Sequence, residues 1–248
     1  MSAIGIGLIV LICVFGGSIL GMVLHTILPE QHLSADSKDV IKLGMGLIAT
    51  MSALVLALLT NSAKGSFDTQ RNELTQMSAN IILLDRVLAH YGPETKDARD
   101  LLKETVNNMI NRMWPEEGSG PQLQPVAAEA FYDKIQALSP QNDVQRQLQA
   151  QAVKISVDIG QSRWLLFEQG GRSIPMPFLV LLIFWVTVIF LSFGLFAPRN
   201  ATVIVTLFLC ALSLSGAIYL ILELDHPFGG LVQISSAPLR SALSQIDK

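Results

Sequence analysis

The sequence predicts an all-α membrane protein: four transmembrane spans, with a helical domain outside the membrane between the second and the third. Three observations carry this. Half of the 248 residues are apolar and only 15% are charged, against roughly a quarter charged in soluble domains. The charges are segregated, and Met1–Pro29, Leu43–Ala63, Ser173–Pro198 and Asn200–Leu222 hold no Asp, Glu, Lys or Arg. Each run is at least 21 residues long, enough to cross a ~30 Å hydrocarbon core as a helix. This excludes a soluble single domain. Cys13 and Cys210 both lie in apolar runs, which excludes a disulfide scaffold. A net charge of −3 gives no case for nucleic acid.

The first run is expected to be a retained span rather than a cleaved signal. A signal has a basic start, a short apolar core and a small-residue cleavage site. Here no Lys or Arg precedes Lys38, and the apolar core is about twice the usual length. Cys13, Gly17 and Gly21 recur at spacing four as a packing face, because small residues let helix backbones approach closely in lipid.

The second run says most. Lys42, Gly46, Ala49, Ala53, Ala57, Thr60 and Lys64 recur at steps of three and four. They form one helix face of small or polar residues, with Leu and Met elsewhere. The two lysines stand ~33 Å apart at the helical rise, at opposite membrane surfaces. Two readings stay open. One is a close-packing face with two snorkelling anchors. The other is the lining of a narrow pore, with the lysines at its mouths.

No proline falls between Pro29 and Pro93, so this helix is expected to continue well beyond the membrane. Its extension carries Phe67, then Leu74, Met77, Ile81, Leu84, Leu88 and Tyr91 at alternating steps of three and four, a packing seam. Gly92-Pro93 ends one helix and starts another. Leu102, Val106, Met109 and Met113 form the next apolar stripe, closed by Pro115 and the loop Glu117–Pro121. A short helix from about Pro125 to Leu138 follows. Ser139-Pro140 breaks it, with Ser139 as N-cap of the next helix. That helix carries Val144, Leu148, Ala152, Ile155, Ile159 and Leu166, and Gly170-Gly171 closes it. The third run is rich in Phe with Trp185 at its centre. The fourth has Ser213, Ser215 and Gly216 near its middle.

Four spans put both termini and the 61–173 segment on one side. Lys38, Lys42 and Arg199 fall on the other side, and the remaining fourteen basic residues fall with the termini. By the positive-inside rule that side is the cytoplasm of a bacterial inner membrane. The resulting division is a first transmembrane pair over 1–63, a cytoplasmic helical domain over 64–173, a second pair over 174–224 and a cytoplasmic tail over 225–248.

Enzyme signatures are missing. No phosphate-binding Gly-rich loop ends in Lys-Ser/Thr, and neither H-E-x-x-H nor G-x-S-x-G occurs. His25, His32, His90 and His226 lack the spacing of a zinc site and are expected as exposed loop residues. Asp36, Glu223 and Asp225 are expected as solvated residues at span ends, short of the oxygen donors that calcium takes. The chain is therefore expected to be no enzyme and to use neither cofactor nor metal.

Three stretches carry a family resemblance. They are His32-LSADSKDVIKLGMGLIATMSALVLALL, Ser66-FDTQRNELTQMSANIILLDRVLAHYGPE and Glu223-LDHPFGGLVQISSAPLRSAL. The chain resembles the bacterial bestrophin-like membrane proteins over nearly its whole length, and through them, more remotely, the bestrophin ion channels. That resemblance implies a homo-oligomer, a pentamer in bestrophins, whose second span lines a central pore passing small monovalent ions. It also implies a subunit seam over residues 67–91. Two features depart from bestrophins: the face on the second span is mostly Gly and Ala rather than bulky, and no acidic calcium-binding stretch follows Asp225-His-Pro-Phe-Gly229. A non-conducting scaffold or sensor, whose cytoplasmic helices bind a protein partner, is the competing class. Membrane lipid is a partner in either case.

Overall fold

The computed structural model describes residues 2–29, 35–115, 129–169 and 174–246. Among them the chain is helical, in the order α1 Ala3–Ile27, α2 Ala35–Tyr91, α3 Lys96–Met113, α4 Glu129–Gln136, α5 Asp143–Gln169, α6 Met176–Phe196, α7 Ala201–Leu224 and α8 Ala237–Gln245. The expected loop at 117–121, the start of the short helix at Pro125, the Gly170-Gly171 stop and His32 lie outside the described residues. Contacts divide the chain into two units.

The first unit comprises Met1–Gly65 and Ser173–Asp225. Its four helical stretches are all long and apolar enough to cross a membrane. Ser2 caps α1 by accepting from the Gly5 N–H at 3.2 Å, and Asn200 caps α7 by accepting from the Val203 N–H at 2.8 Å. Helix α1 packs along α6 and α7. Its crossing with α6 is set by glycine on both sides. A Cβ on Gly17 would press on Thr187 at 3.0 Å, one on Gly21 would collide with the Leu191 carbonyl, and one on Gly194 with the Ser18 carbonyl. Polar groups tie the same helices together. The Ser215 hydroxyl donates to the Gly7 carbonyl at 2.6 Å, and Arg199 donates to the Met22 carbonyl. His25 Nδ1 lies 2.8 Å from the Leu195 carbonyl, which only accepts, so the proton sits on Nδ1.

The second unit comprises Ser66–Arg172 and His226–Lys248. Its core joins Leu74, Ile81 and Leu84 of α2 to Leu102 and Val106 of α3, Ile155 of α5 and Leu239 of α8. Gly92, at φ 141°, makes the turn out of α2, a conformation that favours glycine. Thr95 locks that turn with its hydroxyl, 2.6 Å from the Leu88 carbonyl and 2.8 Å from that of Gly92. Trp114 anchors the C-terminal segment, donating from its indole to the Ile234 carbonyl at 2.9 Å and meeting Phe228 edge to face at 5.6 Å.

Several expectations are corrected. Asn142, not Ser139, caps α5, accepting from the Gln145 N–H at 2.8 Å, because Pro140 delays the helix until Asp143. Val144, one residue inside α5, is exposed rather than packed. Cys13 is exposed while Gly17 and Gly21 are buried, since three residues at spacing four drift around a helix of 3.6 per turn. His25 and His90 belong to the last turns of α1 and α2 rather than to loops. Glu223 and Asp225 are buried, not solvated. Tyr219, one turn before Glu223, hydrogen-bonds to it.

Candidate functional site

The start of α2 divides into three sectors at 3.6 residues per turn. The first packs within the unit: Ser52, Leu59 and Ala63 are buried, and Met45, Ile48 and Leu56 lie against the core. About a third of a turn away lies a sector of large apolar residues. Leu43, Leu47, Leu54 and Leu58 are its exposed members. The third sector, about as far round on the other side, carries Lys42, Gly46, Ala49, Ala53, Ala57, Thr60 and Lys64, all exposed within the chain.

Each residue of this third sector has a local environment. No atom lies within 4 Å of where a Cβ on Gly46 would stand. The Thr60 hydroxyl donates to the Leu56 carbonyl of its own helix at 2.8 Å, so the sector presents the threonine methyl rather than a free donor. Lys42 Nζ is 3.2 Å from the Asp39 carboxylate, with both side chains well exposed, so the charge at that end is partly offset. The sector is thus an exposed helix face of small, weakly polar side chains with a basic residue at each end. In the whole stretch of α2 that is apolar enough to span a membrane, 11% is buried within the chain, against 39% for α6. One chain supplies one such face.

The seam further along α2 is different. Leu74, Met77, Ile81 and Leu84 are fully buried and Leu88 nearly so, inside a single chain. The 67–91 seam, expected to pack helices within or between subunits, is closed within the chain at these positions, which share one core with residues of α3, α5 and α8. Gly17 and Gly21 are likewise occupied by α6 of the same chain.

Sequence reasoning missed two features. One is Gly194, which meets α1 from the far side of the crossing. The other is the ion pair beside the seam. Asp85 is buried, and Arg99 grips it with Nε at 2.7 Å from Oδ1 and a terminal N–H at 3.1 Å from Oδ2. The two residues are fourteen apart with Gly92 midway, which is how an antiparallel turn brings partners together. Among the described residues no three His, Cys, Asp or Glu cluster as a metal site.

The family model described as Bestrophin-like domain matches residues 12–239. No curated protein matches the sequence. Among solved structures, a tryptophan-to-alanine variant of a bacterial bestrophin homolog from Klebsiella pneumoniae is similar in fold, with a TM-score of 0.69 at 15% identity. That match covers 99% of this chain and 97% of the other.

Proposed function

The chain belongs to the Bestrophin-like family, and from that premise we propose that it is an oligomeric ion channel whose α2 helices surround a central path. The observation that carries the reading is the open third sector of α2. Lipid tails cover large apolar residues well, so the leucine sector suits the bilayer. A sector of Gly and Ala suits the close approach of another helix, or a path that must be left open. Several copies sharing an axis would bring Ala53 of each near that axis, midway between the Lys42 and Lys64 ends. Five copies is the proposed number, from the family. The bundle and both termini are proposed to face the cytoplasm of a bacterial inner membrane, from the basic-residue imbalance. No catalytic role is assigned.

The rings at the two ends bias the path. Lysine attracts anions, but Asp39 offsets Lys42 at one end, so we expect weak selectivity among small monovalent ions. The purified protein in liposomes is expected to pass such ions, and Ala53→Trp to cut the flux while the oligomer keeps its size. In a background lacking Cys13 and Cys210, cysteines at Gly46, Ala49, Ala53 and Ala57 should react with a charged thiol reagent faster than cysteines at Leu47 or Leu54. Absence of flux together with an unreactive sector would replace the channel with a packing scaffold. Reporter fusions after Lys248 should report cytoplasm, and a periplasmic signal there overturns the orientation.

A further inference from the structure

The second unit holds an open-sided cavity of about 260 Å³ that takes no part in the proposed path. It lies among α2, α3, α4 and α5, and Ile81, Leu102, Val106, Met109 and Phe131 supply apolar walls. Two of its hydroxyls are already spent on their own helices. Thr105 donates to the Leu101 carbonyl at 2.8 Å and Ser156 to that of Val153 at 2.7 Å. The third, on Tyr132, accepts from Gln136 Nε2 at 2.7 Å, and the rest of the lining is mostly apolar. Gly160 of α5 also lines it, and a Cβ there would meet no atom within 4 Å.

Charge is confined to the lining's Arg163 and Asp133. Asp133 is exposed, where water screens it, whereas Arg163 is half-buried. Burial pushes the Arg163 guanidinium below its ordinary pKa, and the nearby Arg112 guanidinium adds to this. Both causes penalise the cation, and an added negative charge would relieve both. A guanidinium has five N–H donors, so it accepts a carboxylate alongside other partners.

We propose that this cavity binds a small amphiphilic anion, a carboxylate on an alkyl chain, with the tail among the apolar walls and the head at Arg163. At about 260 Å³ the cavity falls just below the ~300–1,000 Å³ of drug-sized ligand pockets, which suits a short alkyl chain of about eight carbons. Pockets of this kind, mostly apolar with one placed polar group, are the usual form of small-molecule sites. The proposal stands apart from conduction, because binding is read without ion flux.

The test is calorimetric titration of the full-length protein in lipid nanodiscs with octanoate, and with octanol as its uncharged counterpart, after subtraction of empty discs. Saturable octanoate binding at one per chain is expected. Arg163→Gln should weaken octanoate by at least about tenfold and change octanol by less than about twofold. Gly160→Leu puts a side chain into the cavity from a position where a Cβ meets no atom within 4 Å, and should weaken binding of both by at least about tenfold, while its thermal melt shows that the bundle still folds. Three results overturn the proposal: no saturable binding, as when a neighbouring copy already fills the cavity; octanoate binding untouched by Gly160→Leu; or an equal loss of octanoate and octanol in Arg163→Gln.

Discussion

One helix, α2, carries two packing stripes with opposite fates. The stripe from Leu74 to Leu88 is built of large side chains and is buried by its own chain. The stripe from Gly46 to Thr60 is built of small ones and is open along its length. The difference follows from the two solvents. In water, every large apolar side chain that is covered gains roughly 1.5–3 kcal/mol, so one chain closes its own seam. In lipid that gain vanishes, and helices associate only where backbones approach closely or polar groups meet. α1 and α6 use that route through Gly17, Gly21 and Gly194. The small sector of α2 has no such close neighbour at Gly46 within its own chain.

The sharpest way to break this comparison is Ile81→Asp, which puts a carboxylate into the fully buried seam. A loss of several kcal/mol is expected after relaxation. Size-exclusion and thermal unfolding read it, and an unchanged melt would mean the seam is not core. Next is Arg99→Ala, which strands the buried Asp85 carboxylate. A loss of about 3 kcal/mol is expected, and restoring the pair with Lys should recover only part of it, since lysine cannot grip both oxygens. Third is Gly21→Val, which drives a side chain into the Leu191 carbonyl. A cost of about 1–3 kcal/mol is expected from the overpacked crossing, read as a lower melting temperature in detergent. The smallest effect belongs to the open sector. Ala53→Trp should move stability by less than about 0.5 kcal/mol, as for other exposed positions. A large stability loss at Ala53, with flux unchanged, would place it in a packed interface instead of along a path.

Much of this architecture was legible in one dimension. Charge-free runs mark the four spans because a charge in hydrocarbon is costly, and α2 runs unbroken because no proline interrupts it. The turn at Gly92-Pro93 and the seam beside it follow from local stereochemistry and from helical period. Where the reading slipped, the deciding group was distant in sequence or local rules competed. Asn142 outcompetes Ser139 because the helix starts after Pro140, and Val144 falls at a helix start with nothing opposite it.

By itself, then, the sequence determined which segments are long and apolar enough to cross a membrane, which stretches are helical and which faces are apolar, since these depend on neighbours within one or two turns. The tertiary structure alone decided what each face meets. It buried Glu223 and Asp225 at the end of α7, set Arg99 on Asp85, and matched Gly194 to Ser18 across a crossing of helices far apart in the chain. It also assigned the two stripes of α2 to different roles, one closed within the chain and one left open. Periodicity reports that a stripe exists, but which stripe is covered depends on side-chain volume on both surfaces, and the second surface belongs to another part of the chain.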